Sequence, residues 1–129
     1  MRKFMGLAAV AALCAWSTVA QAQVYGSSSY LANNLGTTVR TARASRANLT
    51  FVSCYNASNA VAYVQLFDVA GSVTLGTTVP RLSLGIPTAG QLTAQVNVQF
   101  LNALKAAATT TPTGSSAPSA SVDCNFGLN

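Results

Sequence analysis

The chain has 129 residues, with seven Lys and Arg, two acidic residues, no His and a formal net charge of +5. The only carboxylate side chains are Asp68 and Asp123, which leaves general acid–base catalysis without the His or carboxylate pair it most often uses. Zinc sites need Cys, His and carboxylate clusters, and the length allows a single domain.

The first element reads as an export signal. Met1-Arg2-Lys3 is a short positive stretch, residues 4–16 are apolar, and Ala20 and Ala22 are the small residues a signal peptidase needs. The apolar run is shorter than the roughly 20 residues that span a bilayer and is broken by Ser17-Thr18, so residues 1–22 are expected to be cleaved. Membrane contact would then end with cleavage, and the expected location is periplasmic or extracellular. Leu13 stands before Cys14, where a lipoprotein signal needs a small residue. Removing 22 of the 129 residues leaves 107, with Arg40, Arg43, Arg46, Arg81 and Lys105 against Asp68 and Asp123, a net charge of +3.

Residues 23–48 begin polar and turn-rich and predict an extended arm and a first strand. The domain core is expected over residues 49–129. Leu49, Phe51, Ser53 and Tyr55 alternate with Thr50, Val52 and Cys54, and Val61, Tyr63, Gln65 and Phe67 alternate with Ala62, Val64 and Leu66. Both runs are rich in β-branched and aromatic residues and predict strands, with Asn56-Ala57-Ser58-Asn59 as a hairpin turn between them. The second run is apolar on both faces, the pattern of a central strand covered on both sides.

Asp68–Ser72 and Leu75–Thr78 are turn or loop material, and Leu82, Leu84 and Ile86 form a strand bracketed by Pro80 and Pro87. From Gln91, the residues Leu92, Ala94, Val96, Val98 and Phe100 keep a period of two against Thr93, Gln95, Asn97 and Gln99, the pattern of a half-buried strand. Residues 101–108 predict a short strand, with a helical turn as the alternative. Residues 109–120 are low-complexity, polar and rich in Thr, Ser and Pro, and predict an exposed loop. Val122, Cys124, Phe126 and Leu128 alternate as a final core strand that points Cys124 inward. Several short strands with regular turn signals make the fold class all-β: a single β-sandwich, with the jelly roll among the arrangements that fit.

Cys54 and Cys124 are the two cysteines left after cleavage, and export would place them where disulfides persist. Their one intramolecular pairing would tie the last strand to the early hairpin and contribute on the order of 4 kcal/mol. Arg40, Arg43 and Arg46 recur every three residues. They would share one face of a helical turn or fan along a loop, as a positive patch for anionic surface glycan or as a solvated edge that blocks unwanted strand pairing. Nucleic acid is not an expected partner, because basic and aromatic residues do not interleave. Asp68 near Ser72 offers at most a weak calcium site. The sequons Asn48-Leu49-Thr50 and Asn56-Ala57-Ser58 are assigned no role. No cofactor, no metal and no enzymatic activity are expected.

Tyr55-Asn56, the run Ala62-Tyr63-Val64-Gln65-Leu66-Phe67-Asp68, the turn Gly76-Thr77-Thr78-Val79-Pro80 and the strand ending Ile86-Pro87 together resemble small β-sandwich virion proteins of tailed and metagenomic phages. The resemblance covers residues 49–87 and implies a decoration or fibre-associated subunit, with itself or other virion proteins as partners. Two features depart from that family: the export signal, and Asn102 where a glycine would follow the Phe100 strand. The alternative is an exported bacterial β-sandwich, an adhesin or fibre subunit that binds surface glycan or assembles with itself.

Overall fold

The computed structural model describes residues 28–129; the segment expected to be an export signal, with Ala20 and Ala22, and the first residues of the expected arm lie outside them. Eight strands follow one another and no helix occurs among the described residues: β1 Ser28–Leu35, β2 Arg40–Arg43, β3 Ala47–Asn56, β4 Ala62–Phe67, β5 Leu82–Ile86, β6 Gly90–Phe100, β7 Leu104–Thr109 and β8 Val122–Leu128. They form two four-stranded antiparallel sheets in the orders β1-β8-β3-β6 and β2-β7-β4-β5. The chain therefore pairs as a ribbon folded at its middle, β1 with β8, β2 with β7, β3 with β6 and β4 with β5. Rolling that ribbon brings β8 against β3 and β7 against β4, which is the strand order of an eight-stranded jelly roll.

The core lies between the sheets. Leu35, Leu49, Val52, Val64, Leu66, Ile86, Phe100, Leu104, Val122 and Phe126 are fully buried there. Burying each such side chain stabilises the fold by roughly 1.5–3 kcal/mol against leaving it in water. Tyr30 on β1 stacks on Phe126 of β8 at 6.4 Å between ring centroids, an offset pair on the same inward face.

The predicted strand at Leu82–Ile86 forms, and so do the long alternating strand from Gln91 and the last strand. Leu104–Thr109 is a strand between β2 and β4. Its alanines suit this place because three successive residues, Ala106 to Ala108, are buried whichever face they point to. β4 is the expected central strand covered on both sides, with Gln65 and Phe67 of its outer face as buried as Val64 and Leu66 of its inner face.

Three expectations are corrected. Residues 28–48 hold more than an arm and a first strand: β1 and β2 are two edge strands paired with β8 and β7, β3 begins at Ala47, and Ala32, Leu35 and Ala47 are core residues. β3 and β4 do not form a hairpin, since they belong to different sheets and residues 57–61 are an arch that crosses between them. The arch forms because Asn56 points inward and satisfies the crossing backbone. Its amide nitrogen donates to Ala60 O at 2.8 Å and Pro87 O at 3.0 Å, and its Oδ1 accepts the Ser58 N–H at 2.9 Å. Finally, the exposed loop expected over residues 109–120 starts one residue later, since Thr109 is buried at the end of β7, and residues 110–121 are largely exposed but not detached: the Gln65 amide donates to Thr109 Oγ1 at 2.6 Å, Thr111 O at 3.2 Å and Gly114 O at 3.0 Å. Polar backbone can roof a sheet when a buried amide meets its carbonyls.

The alternation of β3 also changes phase along its length. Leu49 points inward and so does Val52, because the register shifts between Leu49 and Phe51 against both neighbouring strands. Over the stretch between those two residues, β8 advances two positions, β3 three and β6 four, from Leu128 to Phe126 and from Val98 to Ala94. The sheet fans open toward β6, as stacked bulges require. This phase change leaves Phe51 on the outer face, opposite Gly127 of β8. A Cβ on Gly127 would collide with the Phe51 ring and lie 2.9 Å from Thr50 Oγ1, so the ring lies flat on the bare backbone. The other sheet repeats the device, with Tyr63 beside Gly85, where an added Cβ would sit 3.2 Å from the ring.

Candidate functional surface

Cys54 on β3 and Cys124 on β8 form the disulfide. They face each other directly in the register, with Cα atoms 4.1 Å apart, and both are buried. The bond therefore joins two neighbouring strands of one sheet and closes a loop of 70 residues in sequence. It consumes both thiols and offers no nucleophile.

The three arginines do not share a helical face. Arg40 and Arg43 bound β2, an edge strand, and Arg46 lies in the connection to β3. Arg43 donates to Ser28 Oγ on β1 at 3.1 Å, bridging the two sheets along their common flank. Arg40 and Arg46 are exposed. None of the three joins an ion pair among the described residues. Charges on a four-residue edge strand are the arrangement that keeps such an edge from pairing with another chain.

Asp68 follows β4 and meets the turn between β6 and β7. Its carboxylate accepts the backbone N–H of Leu101 at 2.9 Å, of Asn102 at 2.7 Å and of Ala103 at 3.4 Å. Partial burial works to raise its pKa, but those three donors and the Arg81 charge outweigh it and hold the carboxyl below its ordinary 3.8. Arg81 stands 4.0 Å from the carboxylate and also lies over the Phe100 ring, 5.9 Å from its centroid. Both oxygens of Asp68 thus serve the fold, and the described residues hold no grouping of three His, Cys, Asp or Glu suited to a cation. Asn102 needs no glycine-like backbone, because the positive φ values among the described residues fall at Asn34, Gly76 and Ala89.

The remaining charged groups are occupied in the same way. Asp123 accepts the Asn34 N–H at 2.8 Å, which holds the irregular end of β1. Lys105 donates to the carbonyls of Ala70 and Gly71, tying the loop after β4 to β7. No cleft or cavity of ligand size opens among the described residues.

The outer face of the β1-β8-β3-β6 sheet presents exposed residues. Across it runs the row Leu31, Asn125, Ser53 and Thr93, and beside that the row Asp123, Tyr55 and Gln91. Leu31 is 61% exposed and Tyr55 43%. Asp123 is the one charge in these two rows; the others are hydroxyls, amides, an aromatic ring and an aliphatic chain. Sequence reasoning singled out the arginines and overlooked this face, although the Gln-Thr-Gln-Asn-Gln series of β6 was its visible signal. It also overlooked Asn56, whose burial no local pattern announces.

No protein-family model, curated protein or solved structure matches this chain.

Proposed function

We propose that this chain is a non-enzymatic structural or surface-binding protein, a small decoration or fibre-associated component of a phage particle. The observation that carries this reading is where the reactive side chains are. Asp68 and Asp123 hold backbone N–H groups, Lys105 holds carbonyls, and the cysteines hold each other. What the molecule presents outward is a sheet face of amides and hydroxyls on a rigid, covalently stapled sandwich. The disulfide is compatible with an oxidising compartment and supports export. The resemblance over residues 49–87 supports the particle.

The alternative is an exported bacterial adhesin or fibre subunit, favoured by the exposed Arg40 and Arg46 beside Arg43. On that reading, changing all three to Gln would weaken binding to anionic cell-surface glycan severalfold, and unchanged binding would remove the patch from consideration.

Quantitative mass spectrometry of gradient-purified virus particles, without reduction and beside the periplasm and medium of the producing cells, tests the first reading. Stoichiometric recovery in particles supports it. Absence from particles, with protein processed after Ala22 in periplasm or medium, overturns it in favour of the bacterial one.

A further inference from the structure

Four strands end the two sheets: β1 and β6 on one, β2 and β5 on the other. Three of these edges are blunted. β2 is four residues long and carries Arg40 and Arg43. β5 is five residues long and lies between Arg81 and Pro87. β1 is irregular between Ala32 and Leu35, with Asn34 at a φ of 55°. β6 is the least blunted: it runs eleven residues without a charge or a proline, and although its pairing with β3 shifts register between Val98 and Gln95, its own alternation is unbroken. Its inward residues Leu92, Ala94, Val96 and Val98 remain only half buried, whereas Phe100 at its end is closed off. A long uncharged edge with apolar residues showing beside it is a template for strand addition.

We propose that β6 is a self-association edge, pairing antiparallel with β6 of a second copy and fusing two four-stranded sheets into one continuous sheet. The register that overlaps all eleven residues is centred on Gln95. It sets Gln91 opposite Gln99, Thr93 opposite Asn97 and Gln95 opposite itself, so amides and hydroxyls meet amides along the outer row. The inner row sets Leu92 opposite Val98 and Ala94 opposite Val96, apolar against apolar. The strand is thus complementary to its own reverse on both faces, which is what an isologous two-fold contact demands. Facing amides across paired strands add hydrogen bonds to those of the backbone.

Charge favours this flank over that of β2. β6 lies on the flank shared with β5, and the arginine-bearing β2 lies on the opposite flank beside β1. Pairing through β6 keeps Arg40, Arg43 and Arg46 of the two copies far apart, while pairing through β2 would press them together. The seam is about 37 Å long at roughly 3.4 Å per residue, and the sandwich is about 10 Å between sheets. Even with side chains added, that places the contact at the low end of specific interfaces, so a Kd on the order of micromolar is expected.

This inference names the partner for the structural reading above and rests on that reading for its use. The two can fail separately: a dimer test says nothing about recovery in particles, and recovery in particles says nothing about the seam. The experiment is sedimentation of the processed, disulfide-intact protein from about 1 to 300 µM, a range that brackets a micromolar Kd. It is paired with oxidation of single-cysteine variants on β6. Reversible dimers, covalent dimers from Gln95→Cys alone, and covalent dimers from Gln91→Cys only when mixed with Gln99→Cys are the expected results. Gln95→Lys, which faces itself across the axis, should weaken the dimer about tenfold with its melting curve unchanged. A monomer throughout the range overturns the proposal. So does a dimer indifferent to Gln95→Lys, or one in which Gln91→Cys cross-links to itself.

Discussion

Gln65 and Gln95 both lie on the outer face of a sheet, the first on the central strand β4 and the second on the edge strand β6, and the first is fully buried while the second is exposed. On the β2-β7-β4-β5 sheet, residues 110–121 fold over β4 and their carbonyls meet the Gln65 amide. On the β1-β8-β3-β6 sheet nothing among the described residues lies over Gln95, and a disulfide joins the two middle strands instead. One sheet is held by a roof and the other by a covalent staple.

Breaking the staple should have the largest effect. Reduction, or Cys54→Ala with Cys124→Ala, is expected to lower unfolding free energy by about 4 kcal/mol in the chain-entropy account of a 70-residue separation. Denaturant unfolding with and without reductant measures it, and an unchanged midpoint would mean that the roofed sheet alone sets stability. Next comes the backbone that Phe51 covers. Gly127→Val should cost roughly 1–3 kcal/mol through displacement of the ring, and combining it with Phe51→Ala should recover part of the loss.

The roof gives a sharper contrast with less total effect. Gln65→Leu should cost about 1–2 kcal/mol and, in hydrogen exchange, release the amide of Thr110, which now bonds Ser116 O at 3.0 Å. Gln95→Ala should change stability by less than about 0.5 kcal/mol and leave exchange elsewhere untouched. Equal effects of the two substitutions would dissolve the distinction between the faces.

The smallest effect concerns pH. Asp68 has a depressed pKa in the fold, so it binds its proton more weakly there than in the unfolded chain. Its contribution is complete above the ordinary carboxylate range and is lost as pH falls through the folded value, below 3.8. Stability should decline on acidification into that range, and Asp68→Asn should flatten the slope. An unchanged slope would mean that the Asp68 carboxylate is not the source of the acid sensitivity.

Much of the architecture was legible because its signals are local. The strict period of β6, the apolar run of β4 and the alternation around Cys124 each declare a strand and its buried side without reference to the rest of the chain. The surface was less legible. Arginines at a spacing of three look like a helical face, but β2 is an edge strand, and pairing with β7 decides that. Residues 110–121 look unable to pack, and they become a roof only because Gln65, some 45 positions earlier, meets their carbonyls.

By itself, then, the amino-acid order determined the all-β class, the positions of most strands and which residues of β6 and β8 face the core, since alternation and turn chemistry act over a few residues. Tertiary structure alone decided that β3 and β4 part into different sheets, that β3 changes phase at Thr50, and that β6 ends its sheet among the described residues. Those outcomes depend on which strands meet when the ribbon rolls, on Asn56 satisfying a crossing backbone and on Gly127 giving room to Phe51. Such contacts join residues that are distant in the chain, and no periodicity records them.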